Sequence, residues 1–362
     1  MKPEGMKGEE KTKKQREQGM EKIRKFWEGF DRKYFFRRFV IDLVVLTIVL
    51  IPVHVALGRL GSMRLFAGED SLEEDMNSIV DPDSPFYEDF KSSKRVNILM
   101  LGVNDGMTDV MMLGSYDLRN QRVDIISVPR DTYYYRSNYK SAAAQKINSI
   151  YHTEDVVKTA EAVSEVLLGI PINYYVVVNY DAVRAIVDEM GGVPVNIPFT
   201  MKYDDPYDTP PLHIYFEEGP TVLSGDDAVK YLRYRKGYKT GDIGRISAHQ
   251  EFVKAAIRRT LEHGPVAVAK VAFREIESDL PLNMLLTLAR KAAGLDSENV
   301  YTWMVPGHSG MANGASYWYA DLKKTEQMID EIYHFEDYEA ENEGNEEAGE
   351  AGGGKSEAAS GA

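Results

Sequence analysis

The sequence predicts a layered α/β domain carried behind a single membrane-spanning helix. Short, largely apolar runs alternate with segments of helical periodicity between residues 95 and 335. Those runs lack the polar alternation of half-exposed strands, so they read as strands in the middle of a covered sheet. One apolar stretch, Phe39 to Leu57, stands apart near the N-terminus.

Residues 1–38 are polar and basic, ending in Arg32, Lys33, Arg37 and Arg38. The stretch from Phe39 to Leu57 has an apolar heart from Leu43 to Val53, interrupted only by Thr47. About 20 residues are needed to cross a bilayer, and Asp42 and His54 lie close enough to its ends to reach headgroups. A cleaved signal peptide is the rival reading, but no small-x-small site follows and the basic lead is long, which favours an uncleaved anchor. Basic residues ahead of the span place the N-terminus in the cytoplasm and the rest outside. Residues 58–94, with Glu69, Asp70, Glu73, Glu74, Asp75 and the turn former Asp81-Pro82-Asp83, read as an extracytoplasmic stalk.

The folded domain is expected over 95–335. Strands are predicted at Val96–Leu101, Val110–Tyr116, Val123–Val128, Ile172–Asn179 and Val300–Val305. A helix is predicted from Glu154 to Leu168, its stripe carried by Val156, Ala160, Val163 and Leu167 and its stop at Gly169. Asp181 caps a helix through Met190, which Gly191-Gly192 ends. Ser224 with Asp227 resembles a capping box opening a short helix. Further helices are predicted at Ser247–Leu261, Leu282–Ala293 and Leu322–Tyr333. From residue 336 on, Glu, Gly, Ala and Ser dominate and cannot bury enough apolar surface to fold.

A formal charge of -14 argues against a nucleic-acid partner, which calls for a basic surface. Part of that acidity belongs to the 336–362 tail, where nine acids oppose only Lys355, so it says little about a site. The chain has no cysteine, which excludes disulfides and thiolate metal sites. There is no P-loop and no His-Glu-x-x-His spacing. Gly307-His308-Ser309-Gly310 lacks the residue a nucleophile elbow needs between serine and second glycine, and reads as a plain surface turn.

Arginines at strand ends carry the chemical signal. Arg130 follows the apolar run through Val128 directly, and in layered α/β sheets ligands bind where strands stop. Arg233 and Arg235 stand two apart, so an extended Tyr231–Lys236 would point both to one face. Gly241-Asp242-Ile243-Gly244-Arg245 reads as a tight turn bringing Asp242 and Arg245 together. One such arginine would be an ordinary surface residue; four at loop positions suit phosphate oxygens, which the forked guanidinium matches. After the first strand, Asn104, Asp105 and Asp109 form a loop rich in oxygen ligands that could hold magnesium. The same residues also fit a plain Asn-Asp-Gly turn. Val156–Leu168, Val183–Val187 and Phe252–Ile257 offer aliphatic surface for core or for a lipid-holding cleft.

Taken in order, these pieces resemble the LytR–CpsA–Psr family from about Val96 to Arg258, and more loosely to Phe335. The matching stretches are Asn97–Gly102, Thr108–Leu113, Ile126–Thr132, Lys146–Asn148, Val187–Val193, Tyr231–Lys236 and Gly241–Arg245 with Gln250. The resemblance implies a three-layer αβα sandwich with a central mixed sheet. It also implies transfer of a phospho-glycopolymer from a polyprenyl-pyrophosphate carrier to a peptidoglycan sugar hydroxyl. By the same resemblance Asp109 is a ligand for magnesium or manganese, while Arg130, Arg233, Arg235 and Arg245 bind pyrophosphate together with Gln250. Asp242 is the acid that orients arginines or accepts the hydroxyl proton. The family usually has aspartate where this chain has Asn104 and arginine where it has Met107; Asp105 is the alternative ligand by a one-residue shift. Two other classes use the same site: a polyprenyl-pyrophosphate hydrolase, and a non-catalytic envelope regulator binding polyprenyl phosphate.

Overall fold

The computed structural model describes residues 81–335, apart from 105, 209 and 210. The basic lead 1–38, the anchor at 39–57, residues 58–80 of the stalk, Asp105 and the 336–362 tail lie outside the described residues. Among the described residues no helix is long and apolar enough to cross a membrane.

The first described helix, α1 (Tyr87–Ser92), falls in the stretch expected as a polar stalk. Phe86 and Phe90 are buried in the main core, so the folded domain begins before Arg95. The acidic residues around them stay at the surface, while the two rings bury large apolar area in the core.

The sheet starts with β1 (Arg95–Asn104), β2 (Met107–Asp117) and β3 (Arg122–Ser127). A short helix, α2 (Ile150–Thr153), precedes α3 (Val156–Val166), which Asp155 caps by accepting from the Lys158 amide. Next come β4 (Tyr174–Val178) and α4 (Tyr180–Glu189). The cap of α4 is Asn179, which accepts from the Ala182 amide; Asp181 sits instead in the first turn, where its charge favours the helix N-terminus. Four short strands follow: β5 (Val193–Ile197), β6 (Met201–Asp205), β7 (Leu212–Phe216) and β8 (Gly219–Leu223). Then come α5 (Gly225–Arg233), α6 (Asp242–His263), α7 (Pro265–Glu275), β9 (Glu277–Ser278) and α8 (Leu282–Ala292). The chain closes with β10 (Val300–Met304), β11 (Gly307–Ala312), β12 (Ala315–Ala320) and α9 (Leu322–Tyr333).

The main sheet has the order β10-β3-β2-β1-β4-β9. Strands β1 and β4, and β3 and β10, pair parallel, while β2 runs antiparallel to both its neighbours, so the sheet is mixed. The period of two sorts the side chains. Leu99, Leu101, Met111, Leu113 and Ile126 pack with α3 and α9. On the other face Met100, Met112 and Ile125 meet Val253, Ile257 and Leu261 of α6, and Val96 and Ile98 meet Met284 and Leu288 of α8. Helices therefore cover both faces, which is why the strands read as unbroken apolar runs.

Three expectations need correcting. The Leu101–Asp109 loop is a β-hairpin, with Asn104 opposite Met107. Gly241–Arg245 is no free turn: Gly241, at φ 62°, leads straight into α6, five residues earlier than Ser247. Tyr231–Lys236 is not extended, because α5 runs on to Arg233. The β5–β8 region, absent from the sequence reading, builds a separate core with α4, α5 and α6.

Candidate active site

The C-terminal ends of β1, β3, β4 and β10 share one edge of the sheet, and the chemistry collects there. In β2 the register passes from Val110 opposite Gly102 to Thr108 opposite Val103, leaving Asp109 as the extra residue of a bulge. A bulge re-aims its side chain, and Asp109 lies between two arginines. Its Oδ1 accepts from Arg130 at 2.7 Å and its Oδ2 from Arg235 at 2.7 Å. Arg130 also lies 3.9 Å from Oδ1 of Asp242, which pairs with Arg245 at 2.8 Å. Residues 242 and 245 are neighbours on the first turn of α6, so starting the helix at Asp242 is what sets this pair.

The chain Arg235–Asp109–Arg130–Asp242–Arg245 holds three guanidinium groups against two carboxylates, a net charge of +1. Arg245 is 3% exposed. Burial pushes its pKa down and the Asp242 carboxylate opposes that shift; an arginine stays charged regardless. The buried Nε atoms of Arg130 and Arg245 have no hydrogen-bond partner. Unsatisfied cationic donors with excess positive charge suit an incoming anion with several oxygens.

Behind this network lies a cavity of about 110 Å³. Its walls are largely aliphatic and aromatic: Met100, Val110 and Met112 from the sheet, Val183 from α4, Phe252 and Val253 from α6. Asn104, Asp109, Arg235 and Arg245 line the same space. Two of the aliphatic stretches singled out from sequence thus contribute to it; the third, in α3, fills the core on the opposite face. A second, more polar groove of about 270 Å³ shares Asn104, Tyr180 and Arg235 with it. Arg233 belongs to this groove, paired with Asp208 and 5.5 Å from the centre of the Tyr180 ring. Burial, and then Asp109, raise the Tyr180 pKa.

Gln250 is not at the cavity. Its amide donates to Ser127 Oγ at 2.9 Å and to the Trp303 carbonyl at 2.6 Å, tying α6 to β3 and β10. Sequence reasoning missed its neighbour His249, which lines the cavity one turn beyond Arg245. Its Nε2 donates to the Leu232 carbonyl at 3.0 Å, one of the acceptors that the end of α5 leaves open. The bond fixes the exit that leads to Arg233 and Arg235. Burial, then Arg245, hold the His249 pKa down at about 4.

An unfolded imidazole titrates near pH 6.5, so the fold favours the neutral form. Stability from this site is complete above about 6.5 and is lost as pH falls toward 4. His249→Gln keeps a donor but cannot titrate, and its thermal midpoint should fall less steeply between pH 6.5 and 4 than that of wild type. Equal slopes would mean that the imidazole is hydrated.

Among the described residues no group of three or more His, Asp or Glu side chains is placed to hold a metal ion. Asp109 and Asn104 line one cavity, but both Asp109 oxygens are held by arginine. That set fits magnesium only as the ion is used beside phosphates, with a carboxylate or two and the remaining oxygens from substrate and water.

The sequence profile of the LytR_cpsA_psr family matches residues 63–333. The chain is 28% identical over 258 residues to the polyisoprenyl-teichoic acid–peptidoglycan teichoic acid transferase TagV of Bacillus subtilis, a match covering 68% of this chain and 66% of that protein, just under two thirds of its length. It is 26% identical over 283 residues to the transferase of the same description, TagU, of Oceanobacillus iheyensis, covering 73% and 83%. The crystal structure of B. subtilis TagV superposes with a TM-score of 0.56 at 27% identity, covering 66% of this chain and 97% of that one. With a match that spans the whole arginine network and the sheet that carries it, the chain belongs to the LytR_cpsA_psr family.

Proposed function

We propose that this protein transfers a phospho-glycopolymer from a polyprenyl-pyrophosphate carrier to a sugar hydroxyl of peptidoglycan. The observation that carries the reading is the apolar cavity walled by a network of net positive charge. A polyprenyl chain needs the first and a pyrophosphate the second. The names of TagV and TagU supply the substrate class. The acceptor oxygen bonds to the phosphorus that bears the glycan, the bond from that phosphorus to the bridging oxygen breaks, and polyprenyl phosphate leaves. Phosphoryl transfer asks the protein mainly for positioning and charge neutralisation. Arg130, Arg235 and Arg245 neutralise the oxygens from the cavity side and Arg233 from the groove. Asp242 holds Arg130 and Arg245 in place and takes the hydroxyl proton. Magnesium would be held by Asp109 and pyrophosphate oxygens beside Asn104, and would supply further charge neutralisation.

Purified protein given a polyprenyl-pyrophosphate-linked oligosaccharide should release polyprenyl phosphate in proportion to added peptidoglycan, with glycan appearing on the wall polymer. Release at the same rate without acceptor would make the protein a hydrolase. Since the donor is lipid-borne, we place the chain in the cell membrane, anchored by residues 39–57 with its main domain outside. Protease added to wall-stripped cells should then digest the 95–335 domain; full protection would reverse the topology.

A further inference from the structure

The Gly307–Gly310 stretch is part of strand β11 and not a surface turn, and it shapes a ring-bearing surface beside Arg130. In the β11–β12 hairpin His308 faces Tyr319 and Gly310 faces Tyr317; directly opposed residues share a face. On that face the Tyr133 ring lies 5.2 Å from Tyr317, edge-on, and 5.5 Å from Tyr319, while His308 stacks on Tyr319 at 5.7 Å. Tyr317 is the buried floor at 1% exposure, and Tyr133 is 37% exposed. His308 is exposed and Tyr319 partly so.

Gly310 makes this arrangement possible. A Cβ at 310 would stand 2.7 Å from Cε2 of Tyr319. The Tyr319 ring is therefore seated closely on the hairpin backbone, in a fixed arrangement that a side chain at 310 would not permit.

Location supplies the second line of argument. Trp318 N donates to the Asp131 carbonyl at 2.9 Å and Tyr133 N to the Trp318 carbonyl at 2.8 Å, which splices the hairpin to the segment leaving Arg130. Asp131 and Lys146 pair at 2.9 Å, and the Lys146 ammonium is 6.0 Å from the centre of the Tyr317 ring. Rings with polar tips, bordered by a donor and an acceptor, match a sugar, which presents a face of C–H bonds inside a rim of hydroxyls. In the strand order the apolar cavity lies on the β2-β1-β4 side of Arg130, whereas the hairpin continues from β10 on the other side. Donor and acceptor would reach Arg130 from opposite directions.

We propose that the surface formed by Tyr133, His308 and Tyr319 docks a glycan strand of peptidoglycan as the acceptor; this rests on the transfer reaction proposed above. The test is calorimetric titration of the full chain, in detergent micelles, with a tetrasaccharide of alternating N-acetylglucosamine and N-acetylmuramic acid. Tyr133→Ala should raise its dissociation constant about tenfold, the effect of losing about 1.4 kcal/mol of contact, and Tyr133→Phe should stay close to wild type. Binding of inorganic pyrophosphate should be unchanged in both. Tyr319→Ala should act in the same direction, and because Tyr133 is the more exposed ring, its variants decide the matter if the hairpin fails without Tyr319. No binding by wild type, or an unchanged constant in Tyr133→Ala, overturns the inference. If Arg130→Ala leaves pyrophosphate binding intact, the pyrophosphate site is what fails.

Discussion

Arg130→Ala is expected to lower glycan transfer by about a hundredfold or more, the scale on which removal of one preorganised donor to developing charge acts. Arg130 is the centre of the network: it contacts Asp109 at 2.7 Å and approaches Asp242 at 3.9 Å, so its loss leaves the two acids facing a site short of one positive charge. Arg130→Lys should also fail in large part, because a point charge cannot reproduce the guanidinium fork. Arg245→Ala should be as inactive, but its reading differs. The Arg245 side chain is buried and packed, so the thermal midpoint should drop as well. Arg130, with a side chain 23% exposed, should lose activity with little loss of midpoint. Transfer rates and melting curves of the two variants, taken together, check this. Wild-type turnover in both would remove the arginine network from the reaction.

The arginines of the network were legible in the sequence because their placement depends on local facts: Arg130 follows an apolar strand, and Asp242 and Arg245 are three apart. The Asp242–Arg245 pair was expected and is found, but how Arg130, Arg233 and Arg235 are shared out was not legible, because that depends on where helices start and stop. Arg233 and Arg235 looked like two residues of one strand; α5 extends to Arg233, which lies in the polar groove alone, while Arg235 borders both the groove and the cavity. Gln250, carried along by family likeness, proved a strut between α6 and the sheet. His249 gave no signal, since a lone histidine in a helix has no spacing to betray it; its meaning comes from a carbonyl 17 residues away in sequence. The β5–β8 strands were equally silent. Each is five residues long, and their burial pattern, as in β7, shows only when the partner strand is known. The central strands, covered on both faces, declared themselves through composition alone.

Magnesium should bind the free protein weakly and the pyrophosphate-loaded protein firmly. In the free protein Arg130 and Arg235 occupy both Asp109 oxygens at 2.7 Å, so a cation must displace at least one guanidinium and meets its repulsion as well. A bound pyrophosphate reverses both conditions: it draws the arginines to its own oxygens and adds hard ligands of the kind magnesium prefers. Calorimetric titration should accordingly give little heat without lipid pyrophosphate and a clear isotherm with it. Asn104→Asp, which adds a carboxylate to the wall of the same cavity, should strengthen binding in the free protein. Asp109→Ala should abolish binding in both states. It should also tighten metal-free binding of pyrophosphate, because it releases two guanidinium groups from their carboxylate and raises the network charge from +1 to +2. This paired outcome, metal lost and anion gained, separates a ligand role for Asp109 from general damage to the site, which would weaken both. Full magnesium-dependent turnover in Asp109→Ala would put the metal elsewhere, with Asp105 the next residue to replace.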